Sequence, residues 1–194
     1  DIPREDLTTL FDQSKIKAIT DVYEPGSTFK ILTLAAALEE GVVSENDRFY
    51  CGGSRIGAGV KIKCWRSIGH GSQTLQEGLT NSCNCVFMEL ALRLGVDKFY
   101  EYMQKFGLGE KTGIGLSGEA SGILMDKGLV KTVDLARMGF GHAVAVTPIQ
   151  LLNSVCAILN DGNLLVPTVV KNITDCYGNT LLQTTQTTKR KVVS

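Results

Sequence analysis

The sequence predicts an α+β fold, with helices through the middle of the chain and short strands gathered toward its end. Three observations carry this. Apolar residues recur at three- and four-residue steps after Tyr23, from Asn84 to Phe106, and after Pro148. A Gly-rich alternating stretch separates the first two of these segments, and the chain becomes strand-like from Val166 onward. With 194 residues, 43% of them hydrophobic, the chain is long enough for one domain with a core of its own. Twenty basic residues balance twenty acidic ones, so nothing in the overall charge points to nucleic acid or to an anionic membrane surface.

Residues 1–22 show no clear period and read as an extended or irregular lead-in. Asp1 to Asp6 lack the basic start and apolar run of a secretory signal. After the Pro25-Gly26 turn, Phe29, Leu32, Ala36 and Leu38 keep helical spacing until Gly41, which puts Ser27 in the first helical turn. The longest apolar stretch, Ile31 to Leu38, is broken by Thr33 and falls far short of the roughly 20 residues that span a bilayer. From Phe49 to Gly71, Val60, Ile62 and Cys64 alternate with Lys61 and Lys63, predicting a short surface hairpin. A helix pair follows, Asn84 to Leu94 and Val96 to Phe106, separated by Gly95 and closed by Gly107. Residues 107–122 read as loop, Leu129 to Met138 as helix, and Pro148 as the start of a helix of about 13 residues ending near Asp161-Gly162. Val166 to Ile173 and Thr180 to Thr185 are expected to pair across a turn at Tyr177-Gly178-Asn179.

The chemistry concentrates in Tyr23-Glu24-Pro25-Gly26-Ser27-Thr28-Phe29-Lys30. A serine and a lysine three residues apart emerge on one helical face within hydrogen-bonding reach. A serine hydroxyl is unreactive at neutral pH. A neighbouring amine takes its proton once burial keeps that amine partly neutral. The unpaired amides at a helix start also favour the negative charge that develops on an attacked acyl group. Taken alone, Ser-Xaa-Xaa-Lys is weak, since the same spacing describes a capped helix with a solvated lysine.

The eight-residue string closely resembles the first active-site motif of the class B penicillin-binding proteins, which cross-link peptidoglycan. Three further stretches are similar to the same family in the same order. They are Ser82-Cys83-Asn84 after His70-Gly71 and Thr74-Leu75, Gly107-Leu108-Gly109 through Gly113 to Glu119, and Gly139-Phe140-Gly141 with Val146-Thr147-Pro148-Ile149-Gln150. The resemblance covers roughly residues 18–194. It implies a penicillin-binding serine-transpeptidase fold, here mainly the helical lobe with short strands and an incomplete central antiparallel sheet. It implies that Ser27 forms an acyl-enzyme with the penultimate D-alanine of a stem peptide. Lys30 would act as base, Ser82 would relay a proton to the leaving amine, and Asn84 would hold the substrate's peptide amide. β-Lactams would acylate the same serine.

By the same resemblance, residues 1–194 are a partial transpeptidase domain, without the strands before the first motif and without the C-terminal Lys-Thr/Ser-Gly strand. Lys111-Thr112-Gly113 spells that last motif, but it lies in a loop family members carry in addition, so it is expected to be a turn with a solvated lysine.

Six cysteines are many for a domain of this size. Cys51, Cys64, His70 and Cys83 are separated by 13, 6 and 13 positions, which matches no standard zinc-finger spacing. The resemblance sets Cys83 inside the second motif and the 51–70 segment beside one wall of the cleft. A tetrahedral thiolate and imidazole set there would suit Zn²⁺, with Cys85 as the alternative fourth ligand. Free thiols packed as small hydrophobes, a disulfide between Cys51 and Cys64, and a His70 that serves only to satisfy a loop remain open. Cys156, on an apolar helix face, and Cys176, in a turn, read as structural or incidental, and His142 reads as scaffold.

The resemblance implies an enzyme that needs no cofactor. Its partners would be peptidoglycan stem peptides, β-lactam antibiotics and other cell-wall assembly proteins, without nucleic acid. It would act on the outer face of the bacterial cytoplasmic membrane, anchored by a segment outside these residues. The alternative is a β-lactam-binding sensor or non-catalytic scaffold of the same fold. Hydrolysis of β-lactams would need an extra water-activating group, and the sequence offers no signature of one.

Overall fold

The computed structural model describes residues 7–57 and 59–194. The acidic start at Asp1 to Asp6 lies outside the described residues. Within the stretch expected to be irregular, two short helices form, α1 (Leu7–Ser14) and α2 (Lys17–Thr20). The second is fixed by Ile19, which is buried, although no apolar period announces it.

The core is organised around α5 (Asn84–Lys105), where Val86, Phe87, Met88, Leu90 and Ala91 are all buried. Gly95 breaks it with φ +72°, so the span is two helices meeting at a kink, as the spacing predicts. Onto α5 pack α3 (Lys30–Glu39) and α6 (Thr132–Met138), and α7 (Pro148–Leu159) closes the layer against α2. Thr147 caps α7 through the backbone of Gln150, with Pro148 at its first turn as the sequence requires. The helix expected from Leu129 begins later, because Val130 is extended and the α-helix starts at Thr132 after a short 3₁₀ turn.

Among the described residues the strands pair only two by two. β1 (Arg48–Cys51) runs antiparallel to β4 (Gly71–Thr74), and β2 (Ser54–Gly57) forms a hairpin with β3 (Val60–Lys63). Ile62 and Cys64 are buried as the alternation predicts, but Val60, near the hairpin tip, is 40% exposed. β5 (Ile123–Leu124) meets β6 (Val144–Ala145).

The C-terminal pairing differs from expectation. β7 (Asn163–Leu165) pairs with β10 (Thr188–Lys191), while β8 (Asn172–Thr174) and β9 (Thr180–Gln183) form the anticipated hairpin. Residues 166–171 are not strand. Pro167 has no N–H for a ladder, and Thr168 turns its hydroxyl onto the backbone of Val170. β10 was hidden because a run of basic residues carries no alternation. No described helix is long and apolar enough to cross a membrane.

Because Leu90 is fully buried in this core, Leu90→Ala should destabilise the fold by about 2–5 kcal/mol. The check is a lower urea midpoint at unchanged slope, and an unchanged midpoint would contradict the packing described.

Candidate active site

Gly26 adopts φ +57° and starts a 3₁₀ turn, Gly26–Phe29, that runs directly into α3. Ser27 therefore lies just ahead of the α-helix and not within its first turn. The tighter turn eclipses residues three apart, which brings Ser27 over Lys30. Phe29, 1% exposed, anchors the turn in the core, and the Thr28 hydroxyl donates to the Pro25 carbonyl at 2.7 Å. Ser27 itself is exposed.

Lys30 is the reverse case, a lysine 1% exposed. Its Nζ reaches the Ser82 carbonyl at 2.7 Å, Asn84 Oδ1 at 2.7 Å, Ser82 Oγ at 2.9 Å and Ser27 Oγ at 3.2 Å. The Phe87 ring lies beneath it, 5.4 Å from nitrogen to centroid. Burial lowers the Lys30 pKa to about 8, while negative charge on the Cys64 and Cys83 thiols would raise it.

Ser82 and Asn84 are delivered by the junction between α4 (Leu75–Thr80) and α5. Thr74 and Glu77 form a reciprocal cap at the start of α4. At its end, Ser82 N–H donates to Leu79 and Cys83 N–H to Gly78, both at 2.9 Å. Ser82 is thereby held at φ +48°, a conformation costly for a non-glycine residue. Asn84 spends its other side-chain group on the Lys63 carbonyl, 3.5 Å away.

Behind this junction the ligand atoms of Cys51, Cys64, His70 and Cys83 all lie within 4.8 Å of one another. Two features gather them. The β1–β4 register sets Cys51 opposite Gly71, beside His70. The backbone at Gly69 then presses so close to Cys51 that an added Cβ would sit 2.2 Å from its carbonyl oxygen. Cys64 Sγ lies 4.0 Å from Cys83 Sγ and 3.8 Å from His70 Nδ1. Contact with Cys85 holds the Cys83 thiol well below its ordinary range and pushes that of Cys85 up, and burial raises that of Cys64. The cysteines are all free thiols in this structure. Cys156 and Cys176 are exposed and take no part, so Cys156 does not face the core as its helix suggested.

The penicillin-binding protein transpeptidase domain model matches residues 2–194. The chain belongs to that family, on its class B side. Stage V sporulation protein D of Bacillus subtilis is 44% identical over 178 residues, which are 91% of this chain and 28% of that protein. A penicillin-binding protein 3 from Mycobacterium tuberculosis, solved with aztreonam, superposes with a TM-score of 0.80 at 28% identity, covering 92% of this chain and 40% of the other. The D,D-transpeptidase domain of an Eggerthella lenta peptidoglycan glycosyltransferase gives 0.88 at 24% identity, covering 97% and 51%. The chain thus spans about a quarter of the length of its Bacillus relative. Transpeptidases of this family in general need no cofactor.

Lys111-Thr112-Gly113 is occupied structurally. Glu119, 8% exposed, accepts from Thr112 N–H at 2.7 Å, from the Thr112 hydroxyl and from Gly113 N–H at 3.3 Å, while Lys111 faces solvent. A second long-range contact reaches the first motif. His142, read as scaffold, pairs through Nδ1 with Glu24 Oε2 at 2.9 Å, inside the first motif. The two are 118 positions apart and no periodicity links them.

Lys30 should titrate near pH 8, below the usual 10.5 because burial penalises the ammonium form. Between these values the unfolded chain binds the proton and the folded one has released it, so stability rises with pH across that window. The ¹³Cε shift of labelled lysine would follow this transition, and a midpoint at 10.5 would contradict it.

Proposed function

We propose that Ser27 is the nucleophile of a peptidoglycan D,D-transpeptidase that cross-links stem peptides and is acylated by β-lactams. The observation that carries this is the single buried amine of Lys30, bonded at once to Ser27, Ser82 and Asn84. With a pKa of about 8, roughly a tenth of the amine is neutral at pH 7. Neutral Nζ takes the Ser27 proton as Oγ attacks the carbonyl carbon of the penultimate D-alanine. The C–N bond to the terminal D-alanine then breaks, and that amine leaves with the proton returned from Lys30 through Ser82 Oγ. Asn84 holds the substrate amide. The amine of a second stem peptide attacks the acyl-enzyme and frees Ser27. With a β-lactam, the ring C–N bond breaks and the leaving nitrogen stays tethered.

The protein would work on the outer face of the bacterial cytoplasmic membrane, anchored by a segment outside these residues and beside other cell-wall assembly proteins. The likeness to a stage V sporulation protein favours wall synthesis during spore formation. We read residues 1–194 as part of a transpeptidase domain whose sheet and Lys-Thr/Ser-Gly strand lie elsewhere in the polypeptide. Apolar exposure supports this: Ile31 and Leu38 on α3 are each 41% exposed, and Leu152 and Leu159 on α7 are 59% and 82% exposed. These 194 residues alone should therefore label poorly.

Cys51, Cys64, His70 and Cys83 are proposed to bind one zinc ion. Zn–S bonds of about 2.3 Å in a tetrahedron separate sulfurs by about 3.8 Å. The Cys64–Cys83 distance of 4.0 Å fits that edge. Among the described residues, His70 Nε2 is buried without a hydrogen-bond partner, as an unmet ligand atom would be. The ion would brace Cys83, which sits between Ser82 and Asn84.

Fluorescent penicillin should modify Ser27 in the full-length polypeptide, located by mass spectrometry of the labelled peptide. Ser27→Ala should abolish the adduct, and Lys30→Ala should slow it about 10²–10⁴-fold. A folded protein with no adduct at Ser27 would contradict the assignment and favour a scaffold role. Elemental analysis of protein purified without chelator should find one zinc per chain, lost in Cys83→Ser. Metal-free protein with freely titratable thiols would contradict the zinc site.

A further inference from the structure

The turn that carries Ser27 is held from two sides. On one side Lys30 Nζ is pinned by short bonds to the Ser82–Asn84 junction, and its contact with Ser27 Oγ is the longest of the four. On the other side the residues just before Ser27 are tied to the segment of residues 139–146. Tyr23 and Val146 exchange two backbone hydrogen bonds of 3.0 Å, and Gly26 N–H donates to the Gly141 carbonyl at 2.9 Å. An added Cβ at Gly141 would lie 2.1 Å from the Gly26 carbonyl oxygen, so the two backbones are in direct contact.

Glu24 closes this attachment. Its Oε1 accepts from Ala143 N–H at 2.8 Å and its Oε2 meets His142 Nδ1 at 2.9 Å. Ala143 is held at φ +59°, a conformation that a non-glycine residue keeps only when its surroundings impose it. The imidazole is oriented from its other side by the Phe140 ring, edge to face with centroids 5.1 Å apart. Both side chains are about half exposed, 51% for His142 and 52% for Glu24. At that exposure the fixed hydrogen-bond geometry is what matters.

We propose that Glu24 and His142 are positioning residues for the Ser27 nucleophile, a latch that sets how the serine turn sits against the pinned amine of Lys30. This rests on Ser27 being the nucleophile. Neither residue touches the reacting atoms. A shift of about 1 Å in the turn would cost on the order of a hundredfold in rate.

The test is stopped-flow acylation of the full-length polypeptide by a fluorescent penicillin, resolving the pre-covalent dissociation constant from the acylation rate constant. Glu24→Ala should lower the rate constant ten- to a hundredfold, with the dissociation constant changed less than threefold and the melting temperature within a few degrees. Glu24→Gln keeps an acceptor for Ala143 N–H and a polar partner for His142, and should recover most of the rate. His142→Ala, at a half-exposed site, is the second variant should Glu24→Ala fold poorly, with an expected three- to tenfold loss. Wild-type rates in Glu24→Ala and His142→Ala, or equal losses in Glu24→Ala and Glu24→Gln, would overturn the latch. A folded wild-type protein with no adduct at Ser27 would overturn the nucleophile assignment and the latch with it.

Discussion

A lysine amine taken out of water without a carboxylate beside it is the constraint on which the rest of this structure turns. Packing α3 onto α5 buries Lys30 over the Phe87 ring, and the contacts its nitrogen makes are neutral acceptors: two hydroxyls, a carbonyl and a side-chain amide. Such partners satisfy donors without supplying a countercharge. The ammonium is thus disfavoured enough to release its proton, yet the amine remains fully oriented. A carboxylate in the place of Asn84 would make a stronger bond and a worse base, because it would hold the proton on nitrogen.

The surrounding structure can be read as support for that one atom. The α4–α5 junction accepts a left-handed Ser82 so that its carbonyl and hydroxyl both reach Lys30. Cys83, between the two polar residues, is buried among Cys51, Cys64 and His70, so the segment facing the amine is backed by a packed cluster. On the opposite side the segment of residues 139–146 grips the turn before Ser27 through Tyr23, Glu24 and Gly26. Strained backbone at Ser82 and Ala143 brackets the serine, and hydrogen bonds on both sides hold that strain.

Much of this was legible in the sequence where the signal is local. Helical spacing gave α3, the Gly95 break and the Thr147-Pro148 start of α7, and the string around Ser27 carried the family. The spacing of Ser27 and Lys30 announced their contact, although the turn is 3₁₀ and opens at a Gly26 with positive φ. What escaped depends on contacts between distant segments. β10 has no alternation and is defined only by its partner β7, and the Glu24–His142 pair joins two loops that periodicity cannot relate. The Cys and His set was visible as residue types, but its convergence required the β1–β4 register and the close approach at Gly69. Pro167 breaks the strand expected from Val166, because a residue without an N–H leaves a gap in the ladder.

The most direct test of the account is the acylation rate constant of the full-length polypeptide with a β-lactam measured from pH 6 to pH 9.5. If the Lys30 amine takes the serine proton, the rate rises tenfold per pH unit at low pH and levels off with an apparent pKa near 8, where burial sets that amine. A rate independent of pH across this range, or one still climbing toward 10.5, would contradict a buried and partly neutral Lys30 as the base.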